Sequence, residues 1–153
     1  MRIAIIGGGA SGALAALHLA RALPVGSAEI IVIEPAEEIG RGLAYSTDDP
    51  GHLLNVHAAN MSAFADQPDH LFQWLQHRGS YGDRVTPLCF ISRATYGAYI
   101  ADTVRELSVV GALHHVRERC IDLVEVGNSV VLALENDGII VADLAVLAIG
   151  NDA

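Results

Sequence analysis

Residues 3–12 read IAIIGGGASG, an apolar run followed by glycines in the pattern G-x-G-x-x-G at Gly7, Gly9 and Gly12. The pattern predicts a buried strand, a tight turn and the start of a helix. In such a turn Gly7 allows the change of direction, Gly9 lets the backbone approach a pyrophosphate, and Gly12 lets the helix pack closely on the strand. The free N–H groups and the positive end of the helix dipole then face the phosphates.

Ala10 and Ser11 fill the two positions between the second and third glycines of this motif. Both therefore belong to the predicted phosphate-binding turn. The hydroxyl of Ser11 is a candidate phosphate contact, and the alternative is that Ser11 is only a small residue in the first turn of the helix.

The segment after the glycines continues the same pattern. Residues 13–23 are rich in Ala and Leu and predict a helix, and residues 29–33 form an apolar, β-branched run that is typical of a buried parallel strand. Glu34 follows, 22 residues after Gly12. A carboxylate at this place can accept hydrogen bonds from the adenosine ribose hydroxyls and repels a 2′-phosphate. The order of elements therefore predicts a site for FAD or NAD rather than NADP, and a Gly-rich turn of another α/β fold is the alternative.

The rest of the chain divides into a long irregular segment, a helical region and a β region. Segment 35–66 contains apolar residues throughout, so we expect it to be ordered against the fold or a ligand. Helices are predicted over 69–78 and 95–107, with Ser92 as the N-cap of the second. Strands are predicted over 112–116, 120–126, 129–134, 139–141 and 144–149.

The last of these strands is expected to return to the parallel sheet beside the first one. The sequence stops three residues after Gly150, with no closing helix. We therefore expect residues 1–153 to form a single domain that is the N-terminal fragment of a longer protein.

Composition narrows the class of protein. A chain of 153 residues with 52% hydrophobic and 18% charged residues is long enough for one compact core and is not disordered. The net charge of −9 argues against a nucleic-acid partner. No apolar run is long enough to span a membrane, and Arg2 leads directly into a strand rather than a secretory signal, so we expect a cytoplasmic protein.

The histidines do not predict a metal site. His70 and His77 are seven residues apart on a predicted helix, and His114 and His115 are adjacent on a predicted strand, where they point to opposite faces. We expect no metal, and the sequence identifies no catalytic acid, base or nucleophile.

With these residues together, the sequence resembles the FAD-binding half of flavoproteins built on two dinucleotide-binding domains, such as flavin monooxygenases and glutathione-reductase-like enzymes. The match involves the glycine motif, Glu34, the segment IGRG at 39–42, a β-meander and residues 143–150. The last segment is similar to a family motif that closes in Ala-Thr-Gly, with Ile149 in place of Thr. The resemblance covers almost the whole chain and implies an α/β, Rossmann-like FAD/NAD(P)-binding domain with a parallel sheet, a helical insertion and a β-meander.

The resemblance also implies roles for single residues. The three motif glycines would hold the FAD pyrophosphate and Glu34 would bind the adenosine ribose. Arg41 would reach the cofactor, because Gly40 and Gly42 leave room for a ligand; the alternative is an ion pair with Glu37 or Glu38. The backbone at Cys120 would meet the adenine edge, and Gly150 would allow the returning strand to approach the cofactor.

The expected function is a flavin-dependent oxidoreductase with FAD as its cofactor, NAD(P)H as reductant in the full-length protein, and a small-molecule substrate that the sequence does not identify. Three alternatives stay open. They are an NAD-binding dehydrogenase domain, a non-catalytic nucleotide-binding module, and a structural domain with an empty glycine loop.

Overall fold

The structure, a computed structural model, describes residues 1–79 and 86–150. The end of the sequence at 151–153 lies outside these residues. The described residues form seven strands: β1 (Arg2–Ile6), β2 (Glu29–Ile33), β3 (Leu113–Val116), β4 (Cys120–Val126), β5 (Ser129–Leu134), β6 (Ile139–Ala142) and β7 (Leu144–Leu147). The helices are α1 (Ala10–Ala22), α2 (Gly42–Tyr45), α3 (His70–Arg78) and α4 (Arg93–Val109), with a 3-10 turn at Ala58–Asn60.

The central layer is a parallel sheet with the strand order β3-β2-β1-β7. Strand β1 pairs with β2 from Arg2 opposite Glu29 to Ile6 opposite Ile33. The last strand, β7, lies on the other side of β1, with Ile3 opposite Leu144. The predicted return of the chain to the first strand is therefore confirmed.

The second sheet is the antiparallel meander β4-β5-β6. Its turns lie at Gly127-Asn128 and between β5 and β6 at 135–138. Together the two sheets and the helices confirm the predicted α/β, Rossmann-like architecture with a parallel sheet and a β-meander.

Side chains of the central strands point alternately to the two faces of the parallel sheet, and each face forms part of a separate hydrophobic core. Ile5 and Val32 pack against the helices, while Ala4 and Ile31 pack against the meander together with Leu132 and its neighbours. Successive strand residues point to opposite faces of the sheet, so one parallel sheet serves both layers. The order of layers is helices, parallel sheet and antiparallel sheet.

The segment at 35–66 is ordered, as expected. It buries Ile39, Leu54, Ala58 and Phe64 in the helical core, so apolar burial rather than regular secondary structure holds it in place. Among the described residues no helix is both long and apolar enough to cross a membrane.

Helices α1 and α4 begin at earlier residues than predicted, because of the glycine motif and of an N-cap. Helix α1 begins at Ala10, inside the motif, because extended Gly9 is already its N-cap. Helix α4 begins at Arg93, because the Ser92 hydroxyl accepts a hydrogen bond from the Thr95 N–H at 3.1 Å.

Candidate functional site

The turn after β1 is shaped by Gly7. Its φ of +98° lies in the region that favours glycine. A Cβ on Gly7 would lie 2.4 Å from the Ala148 carbonyl oxygen, so the residues after β7 pass directly over this turn. Gly7 thus allows both the predicted change of direction and the approach of the returning chain.

Gly12 brings helix α1 close to β1. A Cβ at this position would lie 1.9 Å from the Gly7 carbonyl oxygen, a distance that no packing adjustment can accommodate. Gly12 is buried and acts through packing, as the sequence predicted, and it does not line the cavity described below.

The N-terminus of α1 is open toward that cavity. Gly9 is the N-cap, and no side chain caps the first turn. The first turn contains no acidic residue, so the positive end of the helix dipole has no carboxylate against it there. A Cβ added at Gly9 would meet only Gly42, at 3.4 Å, which leaves the backbone face at Gly9 accessible.

Glu34 stands at the end of β2 and touches the glycine loop. Its Oε2 accepts a hydrogen bond from the Gly8 N–H at 2.7 Å, and its Oε1 accepts one from the Ala36 N–H at 2.9 Å. A carboxylate has about four acceptor sites, so each oxygen can still accept a ligand hydroxyl. These two bonds fix the side chain at the rim of the cavity.

Gly8 is a site residue that the sequence analysis missed. A Cβ there would lie 2.6 Å from the Cβ of Glu34, so only glycine lets the Glu34 side chain cross the loop. The signal was the unbroken run of three glycines, of which the G-x-G-x-x-G pattern uses only the first and third.

Arg41 forms an ion pair and also lies at the cavity. Its Nε lies 2.7 Å from Glu38 Oε2, which is the ion pair of the alternative interpretation, and its side chain also lines the cavity. Glu38 in turn pairs with Arg105 through its other oxygen at 2.7 Å. Because Glu38 contacts two arginines, Arg41 is not fully neutralised by it.

The glycines beside Arg41 also allow close packing. A Cβ on Gly40 would lie 2.7 Å from the Ala101 nitrogen in α4, and one on Gly42 would lie 2.9 Å from the Gly9 Cα. They let this segment pack against α4 and the glycine loop, and Gly42 also lines the cavity described below.

These features surround one cavity of about 820 Å³. A volume of this order is typical of small-molecule and cofactor sites. Seven of the nine predicted site residues line it: Gly7, Gly9, Ala10, Ser11, Glu34, Arg41 and Gly150. The further lining residues are Ala36, Glu38, the segment 42–46, Ala148 and Ile149.

Cys120 is not among the lining residues. It begins β4, opposite Leu134, and packs against the core between the two sheets. Burial raises the pKa of its thiol above the ordinary value. Its predicted contact with the adenine edge stays a prediction.

The geometry fits a dinucleotide in two respects. A helix N-terminus with free N–H groups and no Cβ at its N-cap suits a pyrophosphate, and a carboxylate at the neighbouring strand end suits ribose hydroxyls. In the part of the chain that the structure describes, no group of three or more His, Cys, Asp or Glu side chains is placed to hold a metal ion.

Comparison with known proteins agrees with this geometry. A family model described as FAD-NAD(P)-binding matches residues 4–152. Comparison with curated proteins gives no match.

Several solved structures share the fold. Cyclohexanone monooxygenase with bound ε-caprolactone superimposes with a TM-score of 0.68 at 16% identity, over 98% of this chain and 27% of that chain. For S-allyl-L-cysteine S-oxygenase from Allium sativum the TM-score is 0.66 at 18% identity, over 97% and 36% of the two chains. For OTEMO in complex with FAD and NADP the TM-score is 0.64 at 18% identity, over 99% of this chain and 26% of that chain. The chain thus spans between 26% and 36% of the length of these proteins, and at such identities the likeness shows the fold.

Proposed function

The chain belongs to the FAD-NAD(P)-binding family, and from that premise we propose that it is the FAD-binding domain of a flavin-dependent oxidoreductase. One observation carries the proposal. The start of α1, the Glu34 carboxylate and the residues after β7 meet around a single cavity. In open parallel sheets, ligands bind outside the carboxyl ends of the strands, and both β1 and β2 end at this cavity.

The first turn of α1 would hold the pyrophosphate. Ala10 and Ser11 line the cavity at the positive end of the helix dipole, and Gly9 presents backbone without a side chain. The Ser11 hydroxyl is exposed at the same turn and would add a donor to a phosphate oxygen.

Glu34 would bind the adenosine ribose. Its bonds to Gly8 and Ala36 hold the carboxylate in one orientation, so little side-chain entropy is lost when a hydroxyl binds. A negative charge at this position favours a free 2′-hydroxyl over a 2′-phosphate. This supports FAD or NAD in the cavity and disfavours NADP there.

Arg41 and Gly150 would complete the site. Arg41 would contribute a charge-assisted contact to the cofactor, and Gly150, which lines the cavity with a φ of +76°, would allow the returning strand to approach the cofactor. We retain the backbone of Cys120 as a candidate contact to the adenine edge.

When bound, FAD supplies the two-electron chemistry, and the residues of this chain bind and orient it. The reductant NAD(P)H and the small-molecule substrate are proposals for the whole protein. The solved structures that share the fold include a flavin monooxygenase, and this chain covers 26% to 38% of their length, which supports a place within a longer protein. The cytoplasmic location stays a prediction.

Reconstitution with flavin tests the proposal. The protein is incubated with excess FAD, separated from free FAD by gel filtration, and examined by absorption spectroscopy. We expect oxidised-flavin bands to elute with the protein, and we expect NAD to bind less tightly than FAD. Binding of NAD without any binding of FAD would replace the proposal by the NAD-dehydrogenase alternative, and binding of neither would contradict it.

A further inference from the structure

The cavity at the start of α1 is called the dinucleotide cavity below. A second cavity, of about 690 Å³, adjoins it. Leu43 and Ala44 of α2 line both cavities, so this short helix is the wall between them. Its other lining residues belong to the loop that contains Thr47 and His52 and to Arg93 at the start of α4, and the cavity is open to solvent. No role in the proposed binding of FAD requires this second space.

Backbone pairing holds the polar side of the second cavity in place. The Arg93 N–H donates to the His52 carbonyl at 2.8 Å, and the Leu54 N–H donates to the Ile91 carbonyl at 2.8 Å. Leu54 and Ile91 are buried in the helical core. His52 and Arg93 are therefore fixed side by side by the fold itself and need little ordering to act together.

Arg93 differs from the arginines that form ion pairs among the described residues. Within residues 1–79 and 86–150, ion pairs involve Arg2, Arg21, Arg41, Arg78 and Arg105. No described carboxylate pairs with Arg93, although its side chain is half-buried and lines a cavity. A guanidinium in such a place is suited to bind a carboxylate through two parallel hydrogen bonds, the bidentate arrangement.

His52 offers a hydrogen-bond donor beside this charge. Its Nδ1 lies 3.0 Å from the Thr47 hydroxyl, whose oxygen accepts a hydrogen bond from the Asp49 N–H at 3.2 Å. When Thr47 donates its hydrogen to Nδ1, the imidazole carries its own hydrogen on Nε2. The ring can then donate one hydrogen bond to an anionic oxygen.

The opposite side of the cavity is apolar and uncovered. Leu43 is 87% exposed and Leu53 is 50% exposed. Leu43 stands on the wall shared with the dinucleotide cavity, and covering these two side chains would remove apolar surface from water.

We propose that this second cavity binds a small organic monocarboxylate. The carboxylate group lies against Arg93 and His52, and the apolar body covers Leu43 and Leu53. One guanidinium beside an imidazole N–H donor matches one negative charge. The Asp49 carboxylate, which accepts the Gly51 N–H, repels a doubly charged phosphate more strongly than a singly charged carboxylate. That this ligand is the substrate rests on the proposed function; that the cavity binds a carboxylate does not.

The test uses chemical-shift titrations of the full chain without FAD. The probes are acetate, butanoate, hexanoate and benzoate, each compared with the corresponding neutral amide, together with inorganic phosphate and NADP. We expect hexanoate or benzoate to shift the backbone resonances of Leu53 and Arg93, and the amides to have no such effect. If no acid in the series shifts these resonances, or if an amide binds as well as its acid, the proposal is wrong. Tighter binding of phosphate or NADP would assign the cavity to a phosphate group instead.

Three variants isolate the charge of Arg93. Arg93→Gln is expected to weaken carboxylate binding about tenfold or more, and Arg93→Lys to retain part of it, because an ammonium keeps the charge but loses the planar fork. Arg117→Gln removes the same charge from an exposed residue that lines neither cavity, and it should bind like the wild type. Wild-type binding by Arg93→Gln would overturn the proposal.

A parallel titration with FAD separates this proposal from the proposed function. Arg93 does not line the dinucleotide cavity, so Arg93→Gln should bind FAD as the wild type does. Loss of carboxylate binding with FAD binding intact supports two separate sites. If the wild type binds carboxylates but not FAD, only the proposed function fails.

Discussion

The Gly8 N–H donates a hydrogen bond to the Glu34 carboxylate over 2.7 Å, which joins the glycine loop to the end of the neighbouring strand. The same carboxylate accepts the Ala36 N–H at 2.9 Å. Glu34 therefore stabilises the loop that would hold the pyrophosphate, in addition to its proposed role at the ribose. The stability of the loop and the proposed binding both involve this one side chain.

Glu34→Gln is expected to lower both stability and dinucleotide affinity. A glutamine has only one acceptor oxygen, so its NH₂ group faces one of the two backbone N–H donors and leaves it without a partner. The cost is about 1–3 kcal/mol of unfolding free energy, which denaturant titration measures. Glu37→Gln makes the same charge change at an exposed residue and should differ little from the wild type. Equal stability of the two variants would show that the hydrogen bonds of Glu34 contribute nothing.

Gly12→Ala is expected to destabilise the fold by more than about 3 kcal/mol, since its Cβ would lie 1.9 Å from the Gly7 carbonyl oxygen. Gly26→Ala is the matched control. It has a φ of +78° but no heavy atom within 4 Å of the added Cβ, so it should cost only about 1 kcal/mol from backbone strain. Thermal and denaturant unfolding of both variants measure the difference. If both variants lose a similar amount of unfolding free energy, the close contact between α1 and the glycine turn is not the reason why residue 12 must be glycine.

Acid sensitivity is expected from His70. Burial lowers the pKa of His70, and its Nδ1 lies 2.7 Å from the Tyr99 hydroxyl, which already accepts the Ala63 N–H at 3.0 Å. The Tyr99 hydroxyl has one hydrogen to donate, so the Nδ1 that receives it must be unprotonated. Because the unfolded chain binds the proton more readily, stability is complete above about pH 6.5 and declines as the pH falls below that value.

His70→Gln should therefore flatten the dependence of unfolding free energy on pH between about pH 7 and pH 5. His77→Gln, at the exposed end of the same helix, should leave the dependence unchanged. Denaturant unfolding at several pH values gives both slopes. If the unfolding free energy of His70→Gln depends on pH as strongly as that of the wild type, other groups cause the acid sensitivity.

Arg41 and Arg105 share the partner Glu38, but only Arg41 lines the dinucleotide cavity. Arg41→Gln is expected to weaken FAD binding about tenfold, the effect of losing one charge-assisted contact. Arg105→Gln should change it by less than about threefold, because an exposed ion pair contributes little. Fluorescence titration with FAD compares the two variants. An equal effect of both would indicate that long-range charge, rather than contact, determines affinity.

The sequence predicted the parts of this fold that depend on short motifs and on the periodicity of apolar residues. The strands around the glycine motif, the return of the last strand beside the first, and the grouping of the motif residues with Glu34 follow from glycine geometry and apolar periodicity. The places of Arg41 and Gly150 at the cavity were implied by the resemblance. The placement of Cys120 away from the cavity was not predictable, because its implied role came from a resemblance and not from local chemistry.

Other features depend on contacts between distant segments. The need for glycine at Gly8 arises from the Glu34 side chain, 26 residues away, and the need at Gly40 arises from α4. The second cavity likewise exists only because residues 52–54 pair with residues 91–93. No periodicity or spacing rule in a single sequence reports such contacts.

The most direct test of the central claim is a titration of FAD into the wild-type protein and into Gly9→Ala. The added Cβ meets only Gly42, at 3.4 Å, so the variant should fold like the wild type. The methyl group would stand where the backbone meets the pyrophosphate, and we predict that the wild type binds FAD while Gly9→Ala binds it at least about tenfold more weakly. Undiminished FAD binding by a folded Gly9→Ala variant, or no binding by the wild type, would contradict the account.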